Sequence, residues 1–229
     1  MTSTLRTAAW TALIYLATAT ALSQVKYLNG DTSLFDPIFR PKYEAHLAVV
    51  LTHGISAVIV LLVGPWQFFP GFRARFPLWH RLAGRVYLLG VLVGAISGFR
   101  MGLMAYGGTA ARVSFCLLAT LWLATGGIAL AMILRRNVAA HRRWMVRNFA
   151  LTFAAVMLRV YLNLGQRAGL DYTVIYPVVT WMAWIPNIVA VELWMRLNNR
   201  GAQNRLKKLF TKLRSPQSNP DLQGSRSNA

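Results

Sequence analysis

Residues 138–166 read VAAHRRWMVRNFALTFAAVMLRVYLNLGQ. A basic cluster (His141, Arg142, Arg143) with Trp144 leads into an apolar run of the length, about 20 residues, that crosses hydrocarbon. One more arginine, Arg159, sits deep inside that run. An arginine near a bilayer centre costs roughly 3 kcal/mol on insertion scales and faces a bundle interior or a watery cavity rather than lipid. The remaining sequence has to build that interior.

Composition agrees with a membrane protein. Of 229 residues, 55% are hydrophobic and only 14% charged, with a mean hydropathy of +0.41. The formal charge of +19 also fits a nucleic-acid-binding domain. Placement decides against it, because the basic residues lie between apolar runs, as the positive-inside rule expects. Cys116 is the single cysteine. It excludes an intramolecular disulfide, a CxxC pair and a cysteine-held cluster, and lies in an apolar run where a buried thiol packs.

Six apolar stretches approach or exceed spanning length: roughly 8 to 24, 45 to 66, 82 to 105, 113 to 134, 147 to 166 and 174 to 195. The expected fold is an all-α polytopic bundle of six transmembrane helices over residues 1–196. The first stretch is the weakest. Arg6 before it and a small-residue sequence after it also fit a cleaved signal peptide. A retained helix is favoured, because the next connection carries Lys26, Asp31, Asp36, Arg40 and Lys42 like an ordinary external loop.

Orientation follows from Lys and Arg. With the N-terminus inside, 18 of them fall on the inner side and 5 on the outer, while Arg100 and Arg159 lie within spans. That bias predicts both termini in the cytoplasm. Residues 197–214 contain NRLKKLFTKLR, with Leu206, Leu209, Phe210 and Leu213 at helical spacing. This segment is expected to rest on anionic lipid, and the Ser- and Asn-rich stretch 215–229 to be disordered. No aromatic stacking platform accompanies it, so nucleic acid is not an expected partner.

Gly90, Gly94, Gly98 and Gly102 recur every fourth residue and strip one face of the third span. Such a face permits close helix packing, or a flat groove for a planar ring such as a porphyrin or quinone. The histidines are the usual candidate metal ligands. His80 and His141 fall at the same mouths of parallel spans three and five, so only this pair shares a depth suitable for one haem iron. His53 lies roughly 20 Å from the inner edge of span two, and His46 about 10 Å further out. Arg159 lies roughly 18 Å from the inner edge of span five, level with His53 and far from any Asp or Glu. With Asn163 one turn beyond, His53 and Arg159 form a candidate mid-membrane polar centre. Backbone carbonyls, water or an electron-rich ligand would have to meet the buried charge.

GPWQF (Gly64 to Phe68), HRLAGRVYLLG (His80 to Gly90), HRRWMVRNFALTFAAVMLRVY (His141 to Tyr161) and WMAWIPNIVAVE (Trp181 to Glu192) resemble the motifs of the predicted bacterial membrane proteins grouped as domain of unknown function 2306. The resemblance covers roughly residues 45 to 195 and implies a bacterial cytoplasmic membrane, but no activity. The architecture is also similar to four-helix membrane cytochromes that hold b haem between histidine pairs. Spans four and six have no histidine, so this similarity implies one inner haem or none.

Two function classes emerge. In the first, a redox protein binds one b-type haem through His80 and His141, or a quinone there, with Arg81, Arg85, Arg142 and Arg143 on propionates or headgroup. In the second, His53, Arg159 and Asn163 line a path for a proton or small anion. A membrane scaffold or assembly role without catalysis is the third alternative. The sequence carries no nucleophile triad, HExxH, Walker loop or Rossmann fingerprint.

Overall fold

The computed structural model describes residues 3–198. Among these residues there is helix and no strand. Six helices are long and apolar enough to cross a membrane: Thr7–Asn29, Leu47–Phe68, Pro77–Leu103, Gly108–Leu134, Val138–Arg167 and Tyr172–Asn198. The expected basic segment and tail lie outside the described residues beyond Asn198. The chain divides into a unit of Met1–Val189 and a smaller one of Ala190–Ala229.

The elements of the larger unit are α1 (Ser3–Val25), α2 (Arg40–Ala45), α3 (Leu47–Val63), α4 (Pro70–Arg75), α5 (Pro77–Leu103), α6 (Gly108–Leu134), α7 (Val138–Thr152), α8 (Ala154–Arg167) and α9 (Tyr172–Met182). Helices begin where the sequence supplies caps. The Asn137 side chain accepts from the Ala140 N–H at 3.0 Å, and Asp171 accepts from Thr173 at 2.7 Å, each satisfying an orphan donor. Pro77 opens α5, a position where the missing N–H costs nothing. That proline starts the third span earlier than the expected residue 82, so His80 and Arg81 are helical rather than loop residues. Their long polar side chains had read as a connection, yet such residues extend their heads from a helix end towards water.

The helix α5 packs between α3 and α6, α6 packs on α7, and α1 leans on α3 and more lightly on α8. The glycine face explains the closeness. An added Cβ would sit 2.7 Å from Val60 Cγ1 at Gly90, 3.0 Å from the Trp122 ring at Gly94, 2.9 Å from His53 Cε1 at Gly98 and 3.0 Å from Cys116 Sγ at Gly102. Contacts under about 3.0 Å are not tolerated, so each glycine seats a neighbouring side chain. The face packs helices in the small-residue manner, and Gly94, Gly98 and Gly102 also line an interior cavity.

A buried polar network ties α5, α6 and α7 together. The Tyr87 hydroxyl donates to Asn148 Oδ1 at 2.8 Å and also meets Thr152 Oγ1 at 2.8 Å. Trp122 Nε1 donates to the same threonine oxygen at 2.8 Å. Asn148 Nδ2 donates to the Trp122 carbonyl at 2.7 Å and to Thr125 Oγ1 at 2.9 Å. Tyr87 and Asn148 are fully buried, and an apolar interior tolerates such groups only because each has its partners.

Candidate functional site

Two cavities occupy the half of the bundle nearer α2, of about 250 Å³ and 840 Å³. His53, Arg159, Tyr43, Tyr176 and Phe39 line both. The smaller one runs inward to Trp122 and Thr152, at the edge of the buried network. The larger one extends between α1, α3 and α8 and includes Gln24, Tyr27 and Asn163. His53 and Arg159 are therefore neighbours of one interior space, and Asn163 joins only its wider part.

Each polar group is held by its own helix or the next. His53 Nδ1 lies 2.9 Å from the Gly94 carbonyl. A carbonyl can only accept, so Nδ1 carries the proton and, in the neutral ring, Nε2 keeps a free lone pair. Arg159 donates through Nη1 to the Ala155 carbonyl at 2.7 Å and through Nη2 to Gln24 Oε1 at 2.8 Å. Among the described residues no Asp or Glu forms an ion pair with it. Asn163 Nδ2 donates to the Arg159 carbonyl at 2.7 Å, fastening the helix rather than the guanidinium. His53 and Arg159 are both half-buried, and both line the two cavities.

Aromatic rings roof the space. Phe39 stacks on Tyr43 at 5.6 Å between centroids and meets Tyr106, Tyr172 and Tyr176 at 5.9 Å each. Lys42 Nζ donates to the Met104 carbonyl at 3.3 Å, pinning α2 over the α5 to α6 turn. Burial pushes the Tyr43 phenol above its ordinary range, more than the nearby Arg159 charge pulls it down. Tyr43 therefore stays a neutral donor at working pH.

The other candidate residues lie at the opposite end of the unit. His141 comes close enough to His80 to act on its charge. His141 Nδ1 sits 2.8 Å from the Ala129 carbonyl, the second contact that commonly holds a ligating imidazole in place. His80 Nδ1 is buried without any partner. Arg81, Arg85, Arg142 and Arg143 are exposed. Neither cavity is lined by His80, His141 or these arginines.

Sequence reasoning did not single out Gln24, Tyr43, Tyr176, Trp122 or Thr152. Their signal would have been polar or aromatic residues at span depths matching Arg159. Gln24 lies 135 positions away in sequence, so spacing along the chain carries no trace of the pairing.

A family model described as predicted membrane protein, domain of unknown function 2306, matches residues 50–195. The chain belongs to that family and is an integral membrane protein. No curated protein and no solved structure matches it.

Proposed function

We propose that this family member binds a quinone or quinol in the cavity between α3, α5 and α8, as part of a membrane redox process. The observation that carries the reading is the convergence of His53 and Arg159 on one largely apolar interior space beneath an aromatic roof. A quinone ring offers carbonyl oxygens, which the remaining guanidinium N–H groups of Arg159 can meet. A quinol offers hydroxyl protons, which His53 Nε2 can accept. Phe39, Tyr43 and Tyr176 supply faces for the ring. The wider cavity, between α1, α3 and α8, gives an apolar tail room.

The test is a titration of purified protein with short-tailed benzo- and naphthoquinones, read by quenching of tryptophan fluorescence, since Trp122 lines the cavity. Saturable quenching that is weakened in Arg159→Leu supports the reading. A small anion is the second reading, favoured by an arginine without an acidic partner. Chloride or nitrate that displaces nothing removes it, whereas displacement of the quinone by either moves the assignment to anion binding. A b-type haem remains a separate proposal for the opposite end, where His141 has the backbone contact of a ligating histidine and His80 lacks one. A Soret band lost in both His80→Ala and His141→Ala would move the ligand to that pair.

The charge bias supports a bacterial cytoplasmic membrane with both termini inside. A reporter fused after Leu134 is expected in the cytoplasm and one fused after Ala110 outside.

A further inference from the structure

At the end of the unit away from the cavities, three buried polar atoms have nothing to bond. Gln67, in the short turn Pro65–Phe68, is 6% exposed, and both its Nε2 and its Oε1 lack a partner. His80 Nδ1 is the third. Leaving a buried donor or acceptor unpaired costs about 1–3 kcal/mol, and a native structure rarely concentrates such costs without a bound group to relieve them. The two residues share one corner. Gln67 Oε1 lies 3.6 Å from where a Cβ on Gly84 would be, and Gly84 is one helical turn from His80 on the same face of α5.

The corner is also cationic. Arg73, Arg81, Arg142 and His141 all come close enough to His80 to act on its charge. None of these arginines has an acidic partner among the described residues. Asp31, Asp36, Glu44 and Asp171 lie at the α2 end. Around the corner, Trp66, Phe76, Leu78 and Trp79 are exposed, as aromatic and apolar residues are at a membrane interface.

We propose that this corner binds the phosphate of an anionic phospholipid. The phosphate oxygens accept from the guanidinium groups of Arg73 and Arg142, from His80 Nδ1–H and from Gln67 Nε2. Gln67 Oε1 needs a donor, which a headgroup hydroxyl of the phosphatidylglycerol type supplies. The exposed aromatic collar faces the acyl chains, which favours a lipid phosphate over the free ion. This site is independent of the quinone cavity, at the other end of the helices.

The experiment uses delipidated full-length protein in detergent, with thermal unfolding and native mass spectrometry as readouts. Phosphatidylglycerol, phosphatidylcholine and inorganic phosphate are added separately. Phosphatidylglycerol is expected to raise Tm by several degrees, saturably and with one retained lipid, while the other two do not. The double variant Arg73→Gln/Arg142→Gln should lose at least half of that shift, and Arg75→Gln/Arg143→Gln, which removes the same charge nearby, should keep it. Gln67→Leu should unfold no earlier than the parent without lipid, since it removes an unpaired amide, yet gain less from phosphatidylglycerol. Equal shifts in the two double variants, an unchanged lipid shift in Gln67→Leu, or a matching effect of phosphatidylcholine would each overturn the proposal. Inorganic phosphate reproducing the full shift would overturn the lipid assignment.

Discussion

Replacing Arg159 separates a ligand-binding arginine from a merely structural one. The guanidinium has five N–H donors. Two are spent on the Ala155 carbonyl and Gln24 Oε1, so about three remain to face the cavity. Leucine removes them all. A hydrogen bond to a charged group contributes about 1.5–3 kcal/mol, so quinone affinity should fall roughly 10- to 150-fold. Lysine has three donors; if two replace the bonds to Ala155 and Gln24, about one is left, and the fall should be intermediate. The fold should survive either change. Gln24 keeps its Nε2 bond to Ser23 Oγ at 2.9 Å, and leucine removes the cost of placing a charge in the membrane interior. The assay compares dissociation constants by fluorescence quenching with the yield of monodisperse protein. An Arg159→Leu protein that is abundant and binds quinone with the parental constant would refute the reasoning. Reduced yield with unchanged affinity would assign the arginine to structure alone.

Other perturbations test the frame around that centre. Gly98→Ala would place a methyl 2.9 Å from His53 Cε1 and 3.0 Å from Nδ1; displacement of the ring from the Gly94 carbonyl should lower both Tm and quinone affinity. Gly71→Ala, with nothing within 4 Å of the new methyl, should change neither. Tyr87→Phe and Asn148→Leu, combined in a double-mutant cycle read by SDS unfolding, should show a coupling of about 1 kcal/mol, within the range measured for interhelical hydrogen bonds in membranes; additivity would mean the network is not cooperative. The Asp171 carboxyl is held below its ordinary value of 3.8 by the Thr173 hydroxyl and N–H. A depressed folded pKa gives stability that is present above the unfolded value and lost as pH falls through the folded one. Thermal scans of the parent should show this loss below about pH 4, and Asp171→Ala should abolish that part of the pH dependence.

The spans were legible because twenty apolar residues between basic clusters have few other uses. Helical rise converts sequence position into level along a span, which is why His53 and Arg159 could be set side by side from the sequence; that both line the same cavities depends on how α3 and α8 are turned, which spacing does not carry. The glycine repeat could not be resolved from spacing. It predicts a bare face, and the choice between packing and a groove lies with Val60, Trp122, His53 and Cys116, residues on other helices. The partners of Asn148 were hidden for the same reason, since helix rotation about its own axis sets which side chains meet. The early start of the third span at Pro77 was missed because the apolar run itself begins only at residue 82.

The hydrogen bond between Gln24 and Arg159 also bears on the order of biogenesis. Gln24 leaves the ribosome before Arg159, which follows 135 residues later, so at the 5–20 residues per second of synthesis roughly 7 to 27 seconds separate them. When the fifth span enters the membrane, its costly arginine finds an acceptor already waiting on α1. An insertion machinery that delayed or lost that first helix would have to release Arg159 with only the Ala155 carbonyl to meet it, and crosslinking Gln24 to position 159 in arrested nascent chains would show when the pair forms.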